Sequence, residues 1–287
     1  TTAPAAQPVA QPLIMPTPVA ASKPIDPFVV PKAEKAKPVV NNIGDHNELL
    51  FKRLCVLYEG VLYEDDVLHI SLKSEYSGNS GRMVLTLCNI TQEPLTAVNT
   101  MFPAFPSCVV QAPNHIVGAI KGRDKAQLLL LLRCNAPFTG SHPMLNLSFL
   151  VGGRHRRDLK IKLPVTAVKF IEPLINMTQA QFVNMWRQIK GAPNEATDHF
   201  NAKPEVGLEA IAKVMTFGLR FSILNHVDPN KHNFVGAGTF YSGNGQVVCM
   251  VRVETNPTTR QCRTTIKTYN NVVTHAIRKL LLVQLKA

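Results

Sequence analysis

Apolar and polar side chains alternate over long stretches of residues 48–170, and this alternation limits what the chain can fold into. Successive side chains of a β-strand point to opposite faces, so a period of two predicts strands with one buried face. The alternating residues fall in four runs: Leu68, Ile70 and Leu72; Met83, Leu85 and Leu87; Leu145, Leu147, Phe149 and Val151; Leu159, Ile161, Leu163 and Val165. Turns rich in Gly, Pro, Asn or Ser separate the runs. Short strands with regular turns predict an immunoglobulin-like β-sandwich.

The pattern changes after residue 170, where a helix is predicted near the only tryptophan of the chain. Thr178 followed by Gln181 is a capping-box signal for a helix start. The side chains that share one helical face are Phe182, Met185, Trp186 and Ile189. Lys190 and Gly191 are typical of a helix end. Periodicity leaves two roles open for Trp186, either a core side chain or the floor of a binding pocket.

The rest of residues 171–287 mixes helices and strands without a βαβ order. A second helix is predicted near residues 208–214, and strands near 247–253 and 263–268. The last helix has an apolar face made of Val272, Ala276, Leu280 and Val283. This order predicts an α+β domain in which helices flank an antiparallel sheet.

Residues 1–47 have a different composition and form a predicted third region. They hold nine of the 21 prolines and show no apolar period. Proline fixes φ and removes a hydrogen-bond donor, so this region is predicted to be a disordered, proline-rich hinge. The predicted organisation is therefore a hinge at 1–47, a β-sandwich at 48–170 and an α+β domain at 171–287.

The charge and the reactive residues argue against catalysis. The net charge of +12 is spread over both predicted domains, which favours acidic peptides or anionic surfaces over nucleic acid. The six cysteines have no metal-binding spacing, and no nucleophile or phosphate-loop motif is present. We expect free, buried thiols, no metal, no cofactor and no enzymatic activity. The basic run 154–157 is interpreted as the solvated tip of a hairpin. The alternative is that it binds an anionic lipid or an acidic partner protein.

Two neighbouring strands carry a charged cluster. Arg252 and Glu254 are two residues apart and share one face, and Arg263 and Lys267 can share a face on the next strand. Such a set is either a surface ion-pair cluster or, beside an exposed aromatic side chain, a carboxylate-binding pocket.

Several stretches resemble the C-terminal hinge and appendage of alpha-adaptin, the large subunit of the plasma-membrane clathrin adaptor complex. The similar stretches are Leu72–Tyr76, Gly81–Met83, Val151–Gly153, Lys162–Val165, Lys169–Pro173, Gln181–Gln188, Val227–Asn230 and Asn233–Gly238. The resemblance runs from about Leu54 to the C-terminus. It implies a β-sandwich followed by a domain called the platform, here residues 171–287. It also implies protein interaction rather than catalysis.

The resemblance implies a platform site for Asp-Pro-Phe, Asp-Pro-Trp and Phe-x-Asp-x-Phe motifs of endocytic accessory proteins. The corresponding residues are Trp186, Val183, Arg252, Glu254, Arg263 and Lys267. Val183 stands where the family commonly has an aromatic residue, and Lys267 where it commonly has arginine. Lysine lacks the planar fork that holds a carboxylate through two bonds, so a changed motif preference is expected.

The resemblance also implies a second peptide site on the sandwich, at Lys73, Thr86 and Gln127. Thr86 falls where an aromatic residue is usual, so this site is expected to be altered. In the hinge, Asp26, Pro27 and Phe28 form an Asp-Pro-Phe tripeptide, which is either a chance occurrence or an internal ligand for the platform.

Expected partners are accessory proteins, the other adaptor subunits through an upstream trunk, and the clathrin coat indirectly. The expected location is cytoplasmic, peripheral on the plasma membrane at coated pits. An appendage of a beta-adaptin or of coatomer is the nearest alternative. A more remote alternative is a secreted adhesion-type β-sandwich. Such a protein would need paired cysteines and glycosylated Asn-x-Ser/Thr sites.

Overall fold

A computed structural model describes residues 43–287, and the first part of these residues forms a helix and eight strands. Their bounds are α1 Ile43–Leu54, β1 Glu59–Glu64, β2 Leu68–Ser77, β3 Ser80–Asn89, β4 Leu95–Met101, β5 Cys108–Gln111, β6 Lys125–Cys134, β7 Met144–Val151 and β8 His155–Lys162. The strands form a five-stranded sheet in the order β1-β2-β3-β6-β5 and a three-stranded sheet in the order β4-β7-β8. All pairings are antiparallel. The predicted β-sandwich is confirmed.

The alternating residues form the core between the two sheets. Leu68, Ile70, Met83 and Leu85 are each 0% exposed. The pattern is weaker near the β7–β8 hairpin, where Val151 and Leu159 are only partly buried. Burial of one face of each strand supplies most of the hydrophobic stabilisation of this part of the molecule.

The second part of the chain contains a sheet of six strands with helices on both faces. The bounds are β9 Ile171–Pro173, α2 Gln179–Gln188, β10 Glu195–Asn201, α3 Leu208–Lys213, β11 Ser222–Ile223, β12 Asn233–Ser242, β13 Gly245–Thr255, β14 Gln261–Thr268 and α4 Asn271–Leu285. The strand order is β10-β14-β13-β12-β11, and β9 also pairs with β12. The two faces belong to different cores: Phe182 and Ile189 of α2 pack with Met250, whereas Ile277 of α4 packs in the cluster that includes Val251. The predicted α+β architecture is therefore confirmed.

The regions differ from the sequence-based division in two details. Helix α1 begins at Ile43, so the last residues assigned to the hinge lie in a helix. The boundary at residue 170 also does not separate two cores, because Phe170, Ile171 and Phe240 belong to the same apolar cluster as the sandwich core. Gly238 permits this close packing, since a Cβ atom there would lie 2.7 Å from Ile171 Cγ2. Residues 43–287 form one compact unit.

The last helix has a more complex pattern than its predicted apolar face suggested. Its most deeply buried apolar side chains are Val273, Ile277, Leu281 and Leu285. The neighbouring face, predicted from Val272, Ala276, Leu280 and Val283, is less well covered, and Val283 is 39% exposed. Two adjacent apolar stripes therefore run along α4, and one of them is partly open.

A buried lysine lies where α1 and the two parts of the fold meet. Lys169 is 1% exposed. Its Nζ donates to the Leu57 carbonyl oxygen at 2.6 Å and lies 3.9 Å from the centre of the Tyr58 ring. Burial lowers the pKa of Lys169 to about 7, against a smaller opposing effect of Cys55 and with a further lowering by Arg220. The amine is thus held in a site that disfavours its charged form.

We expect the stability of the wild-type chain relative to Lys169→Met to rise with pH between 7 and 9. In this range the unfolded chain keeps the proton on Lys169 and the folded chain loses it, so the free energy of unfolding increases with pH. The free energy of unfolding is expected to rise by about 2 kcal/mol over this range. Each pH unit in which the unfolded chain binds one proton more than the folded chain contributes about 1.4 kcal/mol. Urea unfolding of both chains at pH 7, 8 and 9 measures it. Parallel pH profiles would show that Lys169 titrates normally.

Candidate functional site

The tryptophan lies in the last turn of helix α2, which packs on one face of the sheet. Thr178 caps α2: its hydroxyl accepts from the Gln181 N–H at 3.2 Å, and the Gln181 side chain accepts from the Thr178 N–H at 2.9 Å. The predicted capping box is therefore present. Phe182 and Ile189 are each 3% exposed and hold the helix on the sheet.

Trp186 packs against the core with part of its side chain, and its role in a binding pocket stays a prediction. Its indole stacks on the buried Phe182 ring, with centroids 5.3 Å apart and an angle of 21° between the planes. The side chain is only partly buried, so one part of it packs and another part faces solvent. Phe182 fixes the orientation of the indole from below, which leaves a rigid aromatic surface available for a ligand.

Lys267 supports this helix end from the sheet. Its Nζ donates to the carbonyl oxygens of Trp186 at 3.1 Å and Ile189 at 2.9 Å, and it lies 4.9 Å from the indole. It also forms an ion pair with Glu195 at 3.3 Å, and Lys267 is 7% exposed as a residue. Lysine donors satisfy carbonyl groups that a helix end leaves unpaired. The structure therefore places Lys267 as a buried positioning residue for Trp186, with little surface left for a ligand carboxylate.

The other predicted cations belong to an alternating chain of charges. Arg252 donates through Nε and Nη2 to Asp228 Oδ2, at 3.0 and 2.7 Å. Arg252 Nη2 also lies 3.3 Å from one oxygen of Glu254, and Arg263 Nε donates to the other oxygen. The side chain of Arg263 is 46% exposed, against 33% for Arg252. Arg263 is thus the member of this chain with the most surface for a further carboxylate.

Asp228 anchors the charge chain. Burial by itself would raise the pKa of Asp228, but hydrogen bonds from the Asn230 N–H, the Asn233 side chain and Arg252 lower it below its usual value. Asp228 lies in one of the stretches that carry the resemblance. Its pairing with Arg252 could not be read from the sequence, because it depends on the register of two strands and an intervening loop.

Strand register places Lys267 and the charges on the face of the sheet on which α2 packs. Lys267 pairs with Met250, and Arg252 and Glu254 follow at successive positions on the same face. Two residues along a strand span about 7 Å, so the charge chain begins about 7 Å from Lys267 and reaches Arg263 about 13 Å away. The predicted platform residues therefore lie along one continuous strip, partly covered by α2 and otherwise open.

A cavity of about 670 Å³ lies at the Arg263 end of this strip. Its polar and charged lining residues are His199, Asn201, Asn230, Asn233, Glu254, Thr255, Asn256, Gln261 and Arg263. The lining does not include Trp186, so the site consists of an aromatic surface at one end and a polar hollow at the other. Sequence reasoning missed the asparagines and His199, because isolated polar residues in short strands and loops give no spacing signal.

Val183 lies one turn before Trp186 on α2 and is partly buried. A valine side chain offers little surface beside the indole, and Phe182 beneath it is buried. Among the residues of α2, Trp186 is therefore the aromatic side chain that is open to solvent at this site.

The residues of the predicted sandwich site also share one face. Thr86 and Gln127 are direct cross-strand partners, and Lys73 pairs with Val84, two residues from Thr86. Lys73 is 69% exposed, with Glu59 at 3.9 Å. All three lie on the outer face of the five-stranded sheet; Leu131, which is 42% exposed, lies on the same face four residues along β6 from Gln127.

The remaining predictions have mixed outcomes. The basic run lies at the tip of the β7–β8 hairpin, where Arg156 pairs with Asp158, and Arg157 with Asp65 and Asp66. All six cysteines are free; five are buried, whereas Cys88 is only partly buried, and burial raises the pKa of Cys55 to about 11. Asp26, Pro27 and Phe28 lie outside the described residues.

Within residues 43–287, no group of three or more His, Cys, Asp or Glu side chains could hold a metal ion. No helix in this range is both long and apolar enough to cross a membrane.

The fold is a β-sandwich followed by a sheet platform with an aromatic and charged face. Residues 169–285 match the family model described as Alpha adaptin AP2, C-terminal domain. The chain therefore carries an alpha-adaptin C-terminal domain, and the resemblance found in the sequence is confirmed.

Relatives extend this similarity over most of the chain. AP-2 complex subunit alpha-2 of Dictyostelium discoideum is 34% identical over 238 residues, which are 82% of this chain and 24% of that protein. AP-2 complex subunit alpha-1 of Arabidopsis thaliana is 29% identical over 276 residues, 90% of this chain and 25% of that protein. The chain spans about a quarter of the length of these curated relatives.

Solved structures give a more distant similarity. The GAE domain of yeast GGA1 is 12% identical and matches 37% of this chain and 99% of that chain, with a TM-score of 0.32.

Proposed function

We propose that the platform strip is a binding site for short peptides that combine an aromatic side chain with an aspartate. Such motifs are Asp-Pro-Phe, Asp-Pro-Trp and Phe-x-Asp-x-Phe. The observation that carries the proposal is the partly exposed indole of Trp186, fixed by Phe182 and Lys267 on the same sheet face as Arg252 and Arg263. An exposed aromatic surface beside arginine is the usual composition of a binding hot spot.

The ligand is expected to lie extended along the strip. An aromatic side chain loses water against the indole, while the aspartate meets the open guanidinium of Arg263. An extended peptide spans at most about 3.5 Å per residue, so the Asp and Phe of Asp-Pro-Phe lie about 7 Å apart along the backbone. Their side chains and that of Arg263 must cover the rest of the distance of about 13 Å between Lys267 and Arg263. Arg252, already bound to Asp228, holds Glu254 and thereby orients Arg263.

The proposed setting is a clathrin adaptor in endocytosis. The partners would be endocytic accessory proteins, with the other adaptor subunits joined through an upstream trunk and the clathrin coat reached indirectly. The location would be cytoplasmic and peripheral on the plasma membrane at coated pits. The family match and the AP-2 relatives favour this setting over a beta-adaptin or coatomer appendage. The six free cysteines favour it over a secreted adhesion domain.

One motif in this site buries little area, so each contact is expected to be weak. Several motifs on one flexible partner raise the overall affinity by roughly 10²–10⁴-fold. Weak contacts that act in numbers suit a coat that assembles and comes apart.

We expect Arg263→Gln to lower the affinity for an Asp-Pro-Phe peptide about tenfold, because a charge-assisted hydrogen bond contributes about 1.5 kcal/mol or more to binding. Arg187→Gln, on the exposed surface of α2, serves as the matched control and is expected to bind as the parent does. Isothermal titration of the peptide into each chain gives the dissociation constants. Equal affinities for the parent and Arg263→Gln would remove Arg263 from the site.

The hinge tripeptide is proposed as an internal competitor for the same strip. If Phe28 occupies the Trp186 surface, Phe28→Ala should bind an accessory peptide more tightly than the parent, by about twofold or more at a half-occupied site. The same titration measures this change. Unchanged affinity for the peptide would sink the idea.

A second, weaker site is proposed on the sandwich, around Lys73, Thr86 and Gln127. Its support is that the three residues share the outer face of the five-stranded sheet. Because threonine replaces an aromatic residue here, this face contacts a ligand mainly through aliphatic groups. We therefore expect it to prefer aliphatic over aromatic ligand side chains.

A further inference from the structure

A second groove lies on the side of the platform sheet opposite to α2, between α1 and α4. Its volume is about 400 Å³. Each helix contributes residues spaced i, i+3, i+4 and i+7, which lie on one helical face. They are Glu48, Phe51, Lys52 and Cys55 from α1, and Ala276, Lys279, Leu280 and Val283 from α4. Residues 138–142, Met144, Lys162, Thr166 and Ala167 complete the lining, so the groove lies between the two helices and part of the sandwich.

The floor of this α1–α4 groove is apolar and firmly held. Phe51 is 8% exposed and packs edge-on against His142, with ring centroids 4.9 Å apart. Phe138 and Leu280 are also buried, and Val283 remains 39% exposed at the open end. This is the part of the second apolar stripe of α4 that the fold leaves uncovered. The groove can therefore accept one or two aliphatic side chains without rearrangement of its floor.

The rim of the groove is positively charged on both sides. Lys52 on α1 and Lys279 on α4 are exposed, and neither forms an ion pair or side-chain hydrogen bond with any of residues 43–287. A third lysine, Lys162, pairs with Glu48 at 3.2 Å. An apolar floor between two unpaired lysines is complementary to a chain that carries acidic residues on both sides of an apolar one.

The charge of the rim also distinguishes between the molecules that could occupy the groove. Residues 1–42 hold four lysines against one aspartate and one glutamate, and a second copy of the chain carries a net charge of +12. Both would bring positive charge to a positive rim. A flat anionic membrane would contact the lysines but could not reach the floor between the two helices. A narrow acidic peptide satisfies the rim and the floor together.

We propose that the α1–α4 groove binds a short acidic peptide segment of a partner protein through leucine-type side chains. This site is independent of the platform strip, because it uses none of the same residues and lies on the opposite face of the sheet. An appendage with both sites could hold two different segments at the same time.

The test uses the full 287-residue chain and the labelled peptide Asp-Glu-Leu-Leu-Glu-Asp-Leu-Leu-Glu-Asp, which contains no aromatic residue. Fluorescence anisotropy is measured for the parent, for Lys52→Glu with Lys279→Glu, and for the control Lys121→Glu with Lys125→Glu. The control lysines are also exposed, form no ion pair with described residues and change the net charge equally. We expect saturable binding by the parent and the control, and affinity at least about tenfold lower for the groove variant. Excess Asp-Pro-Phe peptide should not displace the probe.

A second variant, Ala276→Phe, fills the floor without changing the charge, and circular dichroism checks that it folds. This variant should weaken binding of the labelled peptide as the groove lysine variant does. Equal weakening by both lysine pairs would show a non-specific charge effect and overturn the proposal. Absence of saturable binding would do the same, as would displacement by Asp-Pro-Phe peptide. Binding to phosphatidylserine vesicles but not to the peptide, lost in the groove variant, would assign the lysines to a membrane instead.

Discussion

Trp186→Ala is expected to reduce the affinity for an Asp-Pro-Phe peptide by about thirtyfold or more, which corresponds to about 2 kcal/mol for a central aromatic residue of a binding site. The indole is the open aromatic surface of the strip, and it is pre-oriented by its stack on Phe182. Its loss removes the surface on which the ligand ring is desolvated. Anisotropy of a labelled peptide measures the effect without relying on tryptophan fluorescence.

Trp186→Phe provides the matched control for this prediction. A phenyl ring keeps an aromatic plane above Phe182 but covers less area, so an intermediate loss is expected. Urea unfolding of each variant separates binding from stability, because the buried Phe182 and Ile189 still hold α2 on the sheet. Parent-like affinity in Trp186→Ala would place the aromatic ligand elsewhere.

Lys267→Met is expected to lower the free energy of unfolding by about 3 kcal/mol and to weaken peptide binding as well. Two carbonyl oxygens at the end of α2 lose their donor, and Glu195, whose side chain is 28% exposed, loses its ion-pair partner and keeps, among the described residues, only the Gly191 N–H. Removal of one member of a buried, hydrogen-bonded ion pair leaves an uncompensated charge and unpaired polar groups. The helix end should loosen, and the indole with it.

Two comparisons test the role of Lys267. Lys190→Met removes an exposed lysine two residues past the helix and should change stability by less than about 0.5 kcal/mol. Lys267→Arg keeps the charge and should retain more stability than Lys267→Met. If Lys267→Met lost affinity for the peptide with no loss of stability, Lys267 would be a direct ligand contact rather than a positioning residue.

The fold could be predicted from local patterns where burial follows the period of one element. The sandwich strands show this at Leu68, Ile70, Met83 and Leu85, and α2 shows it in its capping box and its buried face. The pattern fails where an element is covered from more than one side. Helix α4 carries two apolar stripes, and the face that the spacing suggested is the less buried one.

The site could be predicted only in part, because its chemistry depends on contacts across the sheet. The resemblance placed Trp186, Arg252, Glu254 and Arg263, and strand register puts them on one strip. It did not distinguish Arg263, which is open, from Lys267, which is nearly buried and bound to the end of α2. It also gave no sign of the ion pair between Asp228 and Arg252, which exists only once β12, β13 and the loop before them are in place.

The central claim is that one peptide binds along the platform strip, with its aromatic side chain at Trp186 and its aspartate at Arg263. Two-dimensional ¹H–¹⁵N NMR of the full chain during titration with an Asp-Pro-Phe peptide tests it directly. The account predicts concentration-dependent shifts of the Trp186 indole N–H and the Arg263 side-chain Nε–H, with one common dissociation constant. Shifts confined to other parts of the molecule, with both of these signals unmoved at saturation, would contradict it.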